Sequence, residues 1–327
     1  MKRGLRQATL GVLAAGALIF TLSPDKKPSL ERLCTPPLTA HYELRAQHQQ
    51  AIPAKKQLRE ALLAQGHREG LIDSTLQAAT LDAYVIDRYT PRTTTQRTRT
   101  PFQERLDNYL AHPNLQAVQE QLPYYTLQHL DQLLRLEEET GVDYRYVAAI
   151  HGLESRFGAF TGNHQLINTY LSRWHVRPGN RQVMRELNEL LTWSDENGVD
   201  ATQLNNIPAS WASAIGGMQT RATNLRTIPG LNSLEDLTDA AKAQRFITDY
   251  LTNNYRWGAS SNWRRSRGAP THWNTGNGRA IRAYNNDAVY VNVVMHLAQQ
   301  LPPSNQLTNA QTTPTQLPTR RHASARR

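Results

Sequence analysis

The chain of 327 residues carries 37 lysine and arginine residues against 27 aspartate and glutamate residues, so its formal net charge is +10 at pH 7. Hydrophobic residues make up 39% of the chain, which excludes a protein built mainly of membrane-spanning helices. A single cysteine, Cys34, excludes internal disulfide bonds and cysteine-based zinc sites. The positive charge permits an acidic polymer or an anionic lipid as partner, and charge alone does not choose between them.

A basic and then apolar segment opens the chain. Three cations among the first six residues precede an apolar run at residues 10–22, and Asp25 closes it. This order is typical of an export signal, because the positive flank stays in the cytoplasm while the apolar run enters the bilayer. We therefore expect residues 1–26 to be a signal peptide or a membrane anchor, cleaved slowly or not at all, and residues 27–54 to be a linker.

The other end of the chain differs in composition from the middle. Residues 302–327 are rich in proline, threonine and glutamine, show no apolar period, and finish with arginines, which predicts a disordered basic tail. A predicted domain therefore covers residues 55–301, with an N-terminal helical part at 55–124 and a core at 125–301. A polar stretch at residues 90–100 is expected to be a loop or a subdomain boundary.

Within the predicted domain, apolar residues recur every three or four positions, and no alternating stretch is long enough to predict a sheet. An all-α fold follows. The clearest apolar stripes lie at residues 58–63, 127–136, 184–191, 243–251 and 289–297. Gly141 is expected to end the second helix in a left-handed conformation, and Thr238 or Asp239 to cap the fourth.

One carboxylate falls on a face that should be apolar. Asp143 is a suitable cap for a helix that begins at residue 144, and Glu154 follows Val147 by seven and Ile150 by four positions. A carboxyl group buried there has a raised pKa, which suits a general acid. The alternatives are that Glu154 turns outward or pairs with Arg156, as structural ion pairs also do.

Three motifs occur in one order along the chain. The sequence GLESRFG at residues 152–158, followed by TGN at 161–163, resembles the G-[VL]-E-[TS]-R-[YF]-G…TGN signature of the lytic murein transglycosylase B family. The sequence SWASAIGGMQ at residues 210–219 resembles the family's S-[YF]-A-G-A-M-G-x-x-Q segment. Residues 284–285 match its Y-N motif, and Tyr290 matches the tyrosine six residues later.

The resemblance covers residues 55–301, because segments 85–88 and 100–102 are also similar to the family's approach to its catalytic domain. It implies a lysozyme-like helical fold with an N-terminal helical extension, and peptidoglycan glycan strands as the substrate. It also implies that Glu154 first protonates the oxygen between N-acetylmuramic acid and N-acetylglucosamine, then accepts the proton of the muramic C6 hydroxyl. The implied product is a 1,6-anhydro sugar.

The resemblance assigns substrate-binding roles by matching position. These residues are Ser210, Gln219, Tyr250, Tyr284, Asn285 and Tyr290. Ser210 and Gln219 would hold Glu154 or the sugars, Asn285 would donate to the N-acetyl carbonyl, and the tyrosines would line the groove. Core packing or helix capping remains the alternative for each of them.

The sequence also departs from the family. Residues 227–236 contain too few carboxylates for the family's calcium loop, and His151 has no second His–Glu pair, so we expect no metal and no cofactor. Thr220-Arg221-Ala222 replaces the family's aromatic residue and proline. The family's pair of arginines that binds the stem peptide has no direct counterpart, although Arg177 and Arg181 lie nearby.

Three functions remain open at this point. They are a lytic transglycosylase, a noncatalytic murein-binding module for envelope assembly, and a hydrolytic muramidase. A nucleic-acid binder is disfavoured, because export would separate the chain from nucleic acid. We expect a periplasmic location, with the N-terminal segment as the membrane tether unless cleavage releases the protein, and the choice between wall turnover and a secretion machine stays open.

Overall fold

The computed structural model describes residues 38–91, 100–255 and 276–307. The described helices are α1 Leu38–Leu63, α2 Glu69–Gln77, α3 Ala83–Tyr89, α4 Phe102–Leu110, α5 Pro113–Gln128, α6 Leu130–Thr140, α7 Tyr144–Ser155, α8 Leu166–Val176, α9 Arg181–Glu196, α10 Ala240–Tyr255, α11 Gly276–Tyr284 and α12 Ala288–Ala298. Two strands of two residues each, β1 His164–Gln165 and β2 Pro208–Ala209, pair antiparallel. The all-α prediction is confirmed.

Several helix ends follow from residues next to them in the sequence. The Asp143 carboxylate accepts the Arg145 backbone N–H at 3.0 Å and caps α7. Gly141 ends α6 in the left-handed conformation, with φ of 72°. Asp239, rather than Thr238, caps α10, because its carboxylate accepts the Lys242 backbone N–H at 2.8 Å. These local interactions confirm the predicted starts and stops.

The stripe predicted at residues 127–136 is divided between two helices. Helix α5 ends at Gln128, and α6 begins at Leu130 after a residue with non-helical angles, His129. The Leu127 side chain is 71% exposed, so it does not belong to the buried stripe of α6. The prediction of one helix was wrong here because leucines at helical spacing continue across the break.

Helix α7 lies at the centre of the fold. It packs against α5, α6, α10 and α12, and every one of its residues except Leu153 is buried. At Gly152, an added Cβ atom would lie 2.8 Å from side-chain atoms of Val118 and Phe157. This close approach of α5 to α7 fixes the end of the helix that carries Glu154.

Described helices and core contacts extend beyond the predicted domain 55–301 at both ends. The expected linker 27–54 includes part of α1, and Ala51 belongs to the hydrophobic core. Leu307 packs against the same core, and the Tyr144 hydroxyl donates to the Pro302 carbonyl, so the expected tail does not begin at residue 302. Polar composition did not reveal these few anchoring contacts. Helix α5 also runs without interruption through the expected division at 124/125.

Both predictions about the chain ends concern residues outside the described ranges. These are the export signal at residues 1–26 and the basic tail from residue 308 onward. The predicted polar loop also lies outside them at residues 92–99. Among the helices that are described, none is long and apolar enough to cross a membrane.

Candidate active site

Glu154 lies in the last turn of α7, with only 3% of its surface exposed. Burial raises the pKa of its carboxyl group to about 8 from an ordinary value of 4.5, and a hydrogen bond from Tyr290 opposes part of this rise. The chain then turns sharply, because Arg156 and Phe157 both adopt left-handed angles with φ of 48° and 59°. The turn directs the following TGN segment back toward the site.

Three tyrosines from three helices lie in the neighbourhood of the carboxyl group. The Tyr290 hydroxyl, from α12, donates to Glu154 Oε1 at 2.6 Å. The pKa values of Tyr109 on α4 and Tyr284 on α11 are raised, first by burial and then by the negative charge of Glu154, so both phenols lie within electrostatic range of the carboxyl group. Glu154 therefore sits among neutral phenol groups rather than among other ions.

The segment 210–220, which we call the Gln219 loop, passes beside this cluster. The Gln219 side-chain amide donates to the Thr161 carbonyl at 3.3 Å and to the Gly216 carbonyl at 2.9 Å. The Tyr284 hydroxyl donates to the Met218 carbonyl at 3.1 Å. These bonds join the loop to the TGN segment on one side and to the tyrosine cluster on the other.

Four of the predicted site residues thus occupy one region of the molecule: Glu154, Gln219, Tyr284 and Tyr290. Tyr250 adjoins them, since its ring meets the Tyr284 ring edge-on with centroids 5.2 Å apart. The Gln219 Oε1 atom is buried and has no hydrogen-bond partner among the residues that the structure describes. An acceptor left in this way can receive a hydrogen bond from a ligand.

Other predicted roles differ from the observed positions. Tyr290 has no exposed surface, so it cannot present its ring to a sugar as a groove wall, and it holds the carboxyl group instead. The Ser210 hydroxyl accepts the Ala214 backbone N–H at 3.0 Å and shapes the start of the Gln219 loop rather than binding Glu154. Asn285 is 1% exposed, and its backbone N–H donates to the Ile281 carbonyl at the end of α11, while the role of its side chain stays a prediction.

Tyr109 was absent from the sequence prediction. Its helix docks on α12, where Arg105 forms an ion pair with Asp287. Tyr109 follows Arg105 by four positions and so lies on the same face of α4. A tyrosine at that position carries no signal of its own, because the docking of α4 on α12 decides what it meets.

His151, three residues before Glu154, belongs to a structural network. Its Nδ1 atom lies 2.6 Å from the Tyr125 hydroxyl, which also accepts the Gln244 amide at 2.7 Å. Burial lowers the pKa of His151 to about 3. Within the described ranges, no group of three or more His, Cys, Asp or Glu residues is arranged to hold a metal ion.

The fold is similar to those of solved lytic transglycosylases. The chain is similar in structure to the soluble lytic transglycosylase SltB1 from Pseudomonas aeruginosa, with 16% identity over 80% of this chain and 100% of that chain and a TM-score of 0.58. It is also similar to the Escherichia coli lytic transglycosylase Slt35 in complex with calcium, with 17% identity over 76% and 92% of the two chains and a TM-score of 0.56.

A third similar structure is SltB3 from Pseudomonas aeruginosa in complex with NAG-anhNAM-pentapeptide, with 19% identity over 75% of this chain and 78% of that chain and a TM-score of 0.54. At such identities these likenesses show the lysozyme-like transglycosylase fold.

No curated protein matches the sequence. The family model described as "Transglycosylase SLT domain" matches residues 50–229, which are more than half of the chain and include Glu154. The chain therefore belongs to the SLT-domain transglycosylase family.

Proposed function

We propose that the chain is a peptidoglycan lytic transglycosylase in which Glu154 performs both proton transfers. The bond cleaved is the β-1,4 bond between N-acetylmuramic acid and N-acetylglucosamine. The observation that carries this proposal is the isolated, buried Glu154 carboxyl group, with its pKa raised to about 8. The family to which the chain belongs, and a similar structure that holds NAG-NAM-pentapeptide, support glycan strands as the substrate.

In the first step Glu154 acts as an acid. With a pKa of about 8, most of the carboxyl groups are protonated at pH 7. Because the Tyr290 hydroxyl donates to Oε1, the acidic proton belongs on Oε2. That proton passes to the glycosidic oxygen as the bond from this oxygen to the muramic C1 breaks. The substrate's own N-acetyl group shields the positive C1 atom.

In the second step the same residue acts as a base. The carboxylate left behind is poorly solvated, which favours its reprotonation. It accepts the proton of the muramic C6 hydroxyl while the C6 oxygen bonds to C1. The product is a 1,6-anhydro sugar, no water is consumed, and Glu154 returns to its neutral form.

A second catalytic carboxylate has no support in the described part of the chain. No other acidic residue contributes to the shifted pKa of Glu154. Asp287, whose charge contributes to the raised pKa of Tyr109, caps α12 by accepting the Val289 N–H and pairs with Arg105. An enzyme that uses water through two carboxylates needs both groups free to face the sugar. This favours transglycosylation over hydrolysis by a pair of carboxylates.

Further parts of the proposal concern binding and location. Gln219 is proposed to accept a hydrogen bond from the sugar, which its unpartnered Oε1 atom supports, and Tyr250 and Tyr284 are proposed to supply amphipathic ring surface beside it. Asn285 is proposed as a donor to the N-acetyl group, on the basis of its motif. The basic and apolar segment at residues 1–26 supports export to the periplasm with a membrane tether.

The test is digestion of purified sacculi by wild type and by Glu154→Gln, with mass spectrometry of the released fragments. Wild type is expected to release 1,6-anhydromuropeptides, and the variant should lose this activity by at least about 10²-fold, because an amide neither donates nor accepts the proton. Glu138→Gln, at an exposed site on α6, is the control that keeps full activity. Reducing ends would instead indicate hydrolysis, and binding without release would indicate the noncatalytic module.

A further inference from the structure

Glu186, Arg173 and Arg221 form a largely buried ion cluster that is separate from the tyrosine cluster around Glu154. Glu186 of α9 is 1% exposed, and its Oε1 atom accepts hydrogen bonds from Arg221 Nη1 at 2.9 Å and Gln182 Nε2 at 2.8 Å. Its Oε2 atom accepts a longer one from Arg173 Nη1 at 3.4 Å. Such a carboxylate is tolerated inside a protein because several donors replace its lost hydration.

The cluster holds the Gln219 loop at two points. Near the start of the loop, Arg173 Nη1 donates to the Ser213 hydroxyl at 2.9 Å, and this hydroxyl donates to Thr169 Oγ1 at 3.2 Å. At the end of the loop, Arg221 follows Thr220 directly and binds Glu186. One carboxylate therefore connects both ends of the loop to the same helix, α9.

The loop needs such support because two of its residues hold unfavourable backbone angles. Ser213 has φ of 66° and Gln219 has φ of 45°, and neither is a glycine. Left-handed angles at such residues persist only where the surrounding contacts enforce them. Gln219 is the residue whose amide binds the Thr161 carbonyl, and its neighbour Met218 accepts the Tyr284 hydroxyl. A relaxed loop would displace both contacts beside Glu154.

We propose that Glu186, Arg173 and Arg221 form a positioning cluster that keeps the Gln219 loop in register with Glu154 for turnover. The cluster acts through the loop and does not touch the substrate. This inference rests on the function proposed above. It also gives Arg221, which stands in the segment that departs from the family pattern, a specific task in this chain.

The test compares two arginine variants of the full chain. Arg221→Met removes the loop-end contact to Glu186. Arg226→Met is the matched control, because Arg226 lies in the 3₁₀ helix Ala222–Thr227 that Arg221 directly precedes, and it also pairs with a glutamate of α9, Glu196, but holds no part of the loop. We measure kcat and KM on a soluble glycan-strand substrate, and amide hydrogen exchange of residues 210–220.

Arg221→Met should lower kcat by about tenfold or more with a smaller change in KM, because slight misplacement of groups beside the reacting bond is costly to the rate. Exchange in the loop should become faster in the same variant. Arg226→Met should change neither kcat nor the exchange of the loop. Arg221→Lys keeps a cation within reach of Glu186 and should recover part of the lost kcat, which general destabilisation does not explain.

Several results would overturn the positioning role. One is that Arg221→Met leaves amide hydrogen exchange of residues 210–220 unchanged. Another is that Arg221→Met makes this exchange faster but keeps the wild-type kcat. If Arg221→Met proves too unstable to study, Glu186→Gln, which keeps the side-chain volume, must show the same loss of kcat and the same faster exchange. An inactive wild type with a normally protected loop would refute the proposed function, and the positioning role with it.

Discussion

Replacing Glu154 by glutamine should stabilise the protein at neutral and alkaline pH while it abolishes catalysis. The pKa of the carboxyl group is about 8 in the folded chain and has an ordinary value of 4.5 when the chain is unfolded. As the pH rises through this window, the unfolded state loses its proton first and binds fewer protons than the folded state. Stability therefore falls with rising pH between 4.5 and 8.

The magnitude follows from the same two pKa values. One pKa unit corresponds to about 1.4 kcal/mol, so the full window is worth about 5 kcal/mol, of which about 3 kcal/mol falls between pH 5 and pH 8. Because Glu154 is only 3% exposed, solvent screening reduces this free-energy difference little. Glutamine has no such dependence, since its amide does not ionise. The free energy of unfolding of Glu154→Gln, relative to that of wild type, should therefore increase by about 3 kcal/mol from pH 5 to pH 8.

The assay is urea denaturation of wild type and Glu154→Gln at pH 5 and pH 8. Taking the difference between the two proteins cancels every other group that titrates in both. Glu138→Gln, which alters an exposed carboxylate on α6, should show no comparable growth. A Glu154→Gln advantage that stays constant with pH, or that shrinks toward pH 8, would refute the argument that the buried carboxyl group is held neutral.

Three further predictions follow from single contacts. Tyr290→Phe removes the donor that lowers the Glu154 pKa, so the alkaline loss of activity, expected near pH 8, should move to higher pH in a pH–rate profile; a shift to lower pH contradicts this. Gly162 has φ of 118°, and a Cβ atom added there would overlap the Ala209 backbone, so Gly162→Ala should lower the free energy of unfolding, measured by urea denaturation, by about 2 kcal/mol or more. Gly179 is also left-handed but faces open space, so Gly179→Ala should lower it by only about 1 kcal/mol. Truncation after Leu307 should leave the melting temperature unchanged, whereas truncation after Leu301 should lower it, because Leu307 packs on the core.

Features governed by near neighbours could be predicted from the sequence. The caps at Asp143 and Asp239 and the left-handed stop at Gly141 depend on contacts within a few residues, and all three occur in the structure. The helical period also predicted the burial of Glu154 by placing it on the face of Val147 and Ile150, although α7 is buried on almost every face and the packing of the whole helix decides this burial.

Features that join distant segments could not be predicted in this way. The bond from Tyr290 to Glu154 spans 136 positions, and the motif that contains Tyr290 indicated a groove wall rather than a donor to the carboxyl group. The approach of Tyr109 required α4 to dock on α12. In the same way, the contacts of Leu307 with the core depend on packing that a polar tail composition conceals.

The sequence by itself determined the helical class, the local helix ends, the order of the motifs and the acidic residue at their centre. Each of these depends on residue type and spacing along one helix or turn. Only the tertiary structure decided which phenol holds Glu154, that Gln219 binds the Thr161 carbonyl, and that Glu186 anchors both ends of the loop, at its start through Arg173. These depend on how helices pack, because a side chain's partners across the fold are set by the burial of whole helical faces and not by its neighbours in sequence.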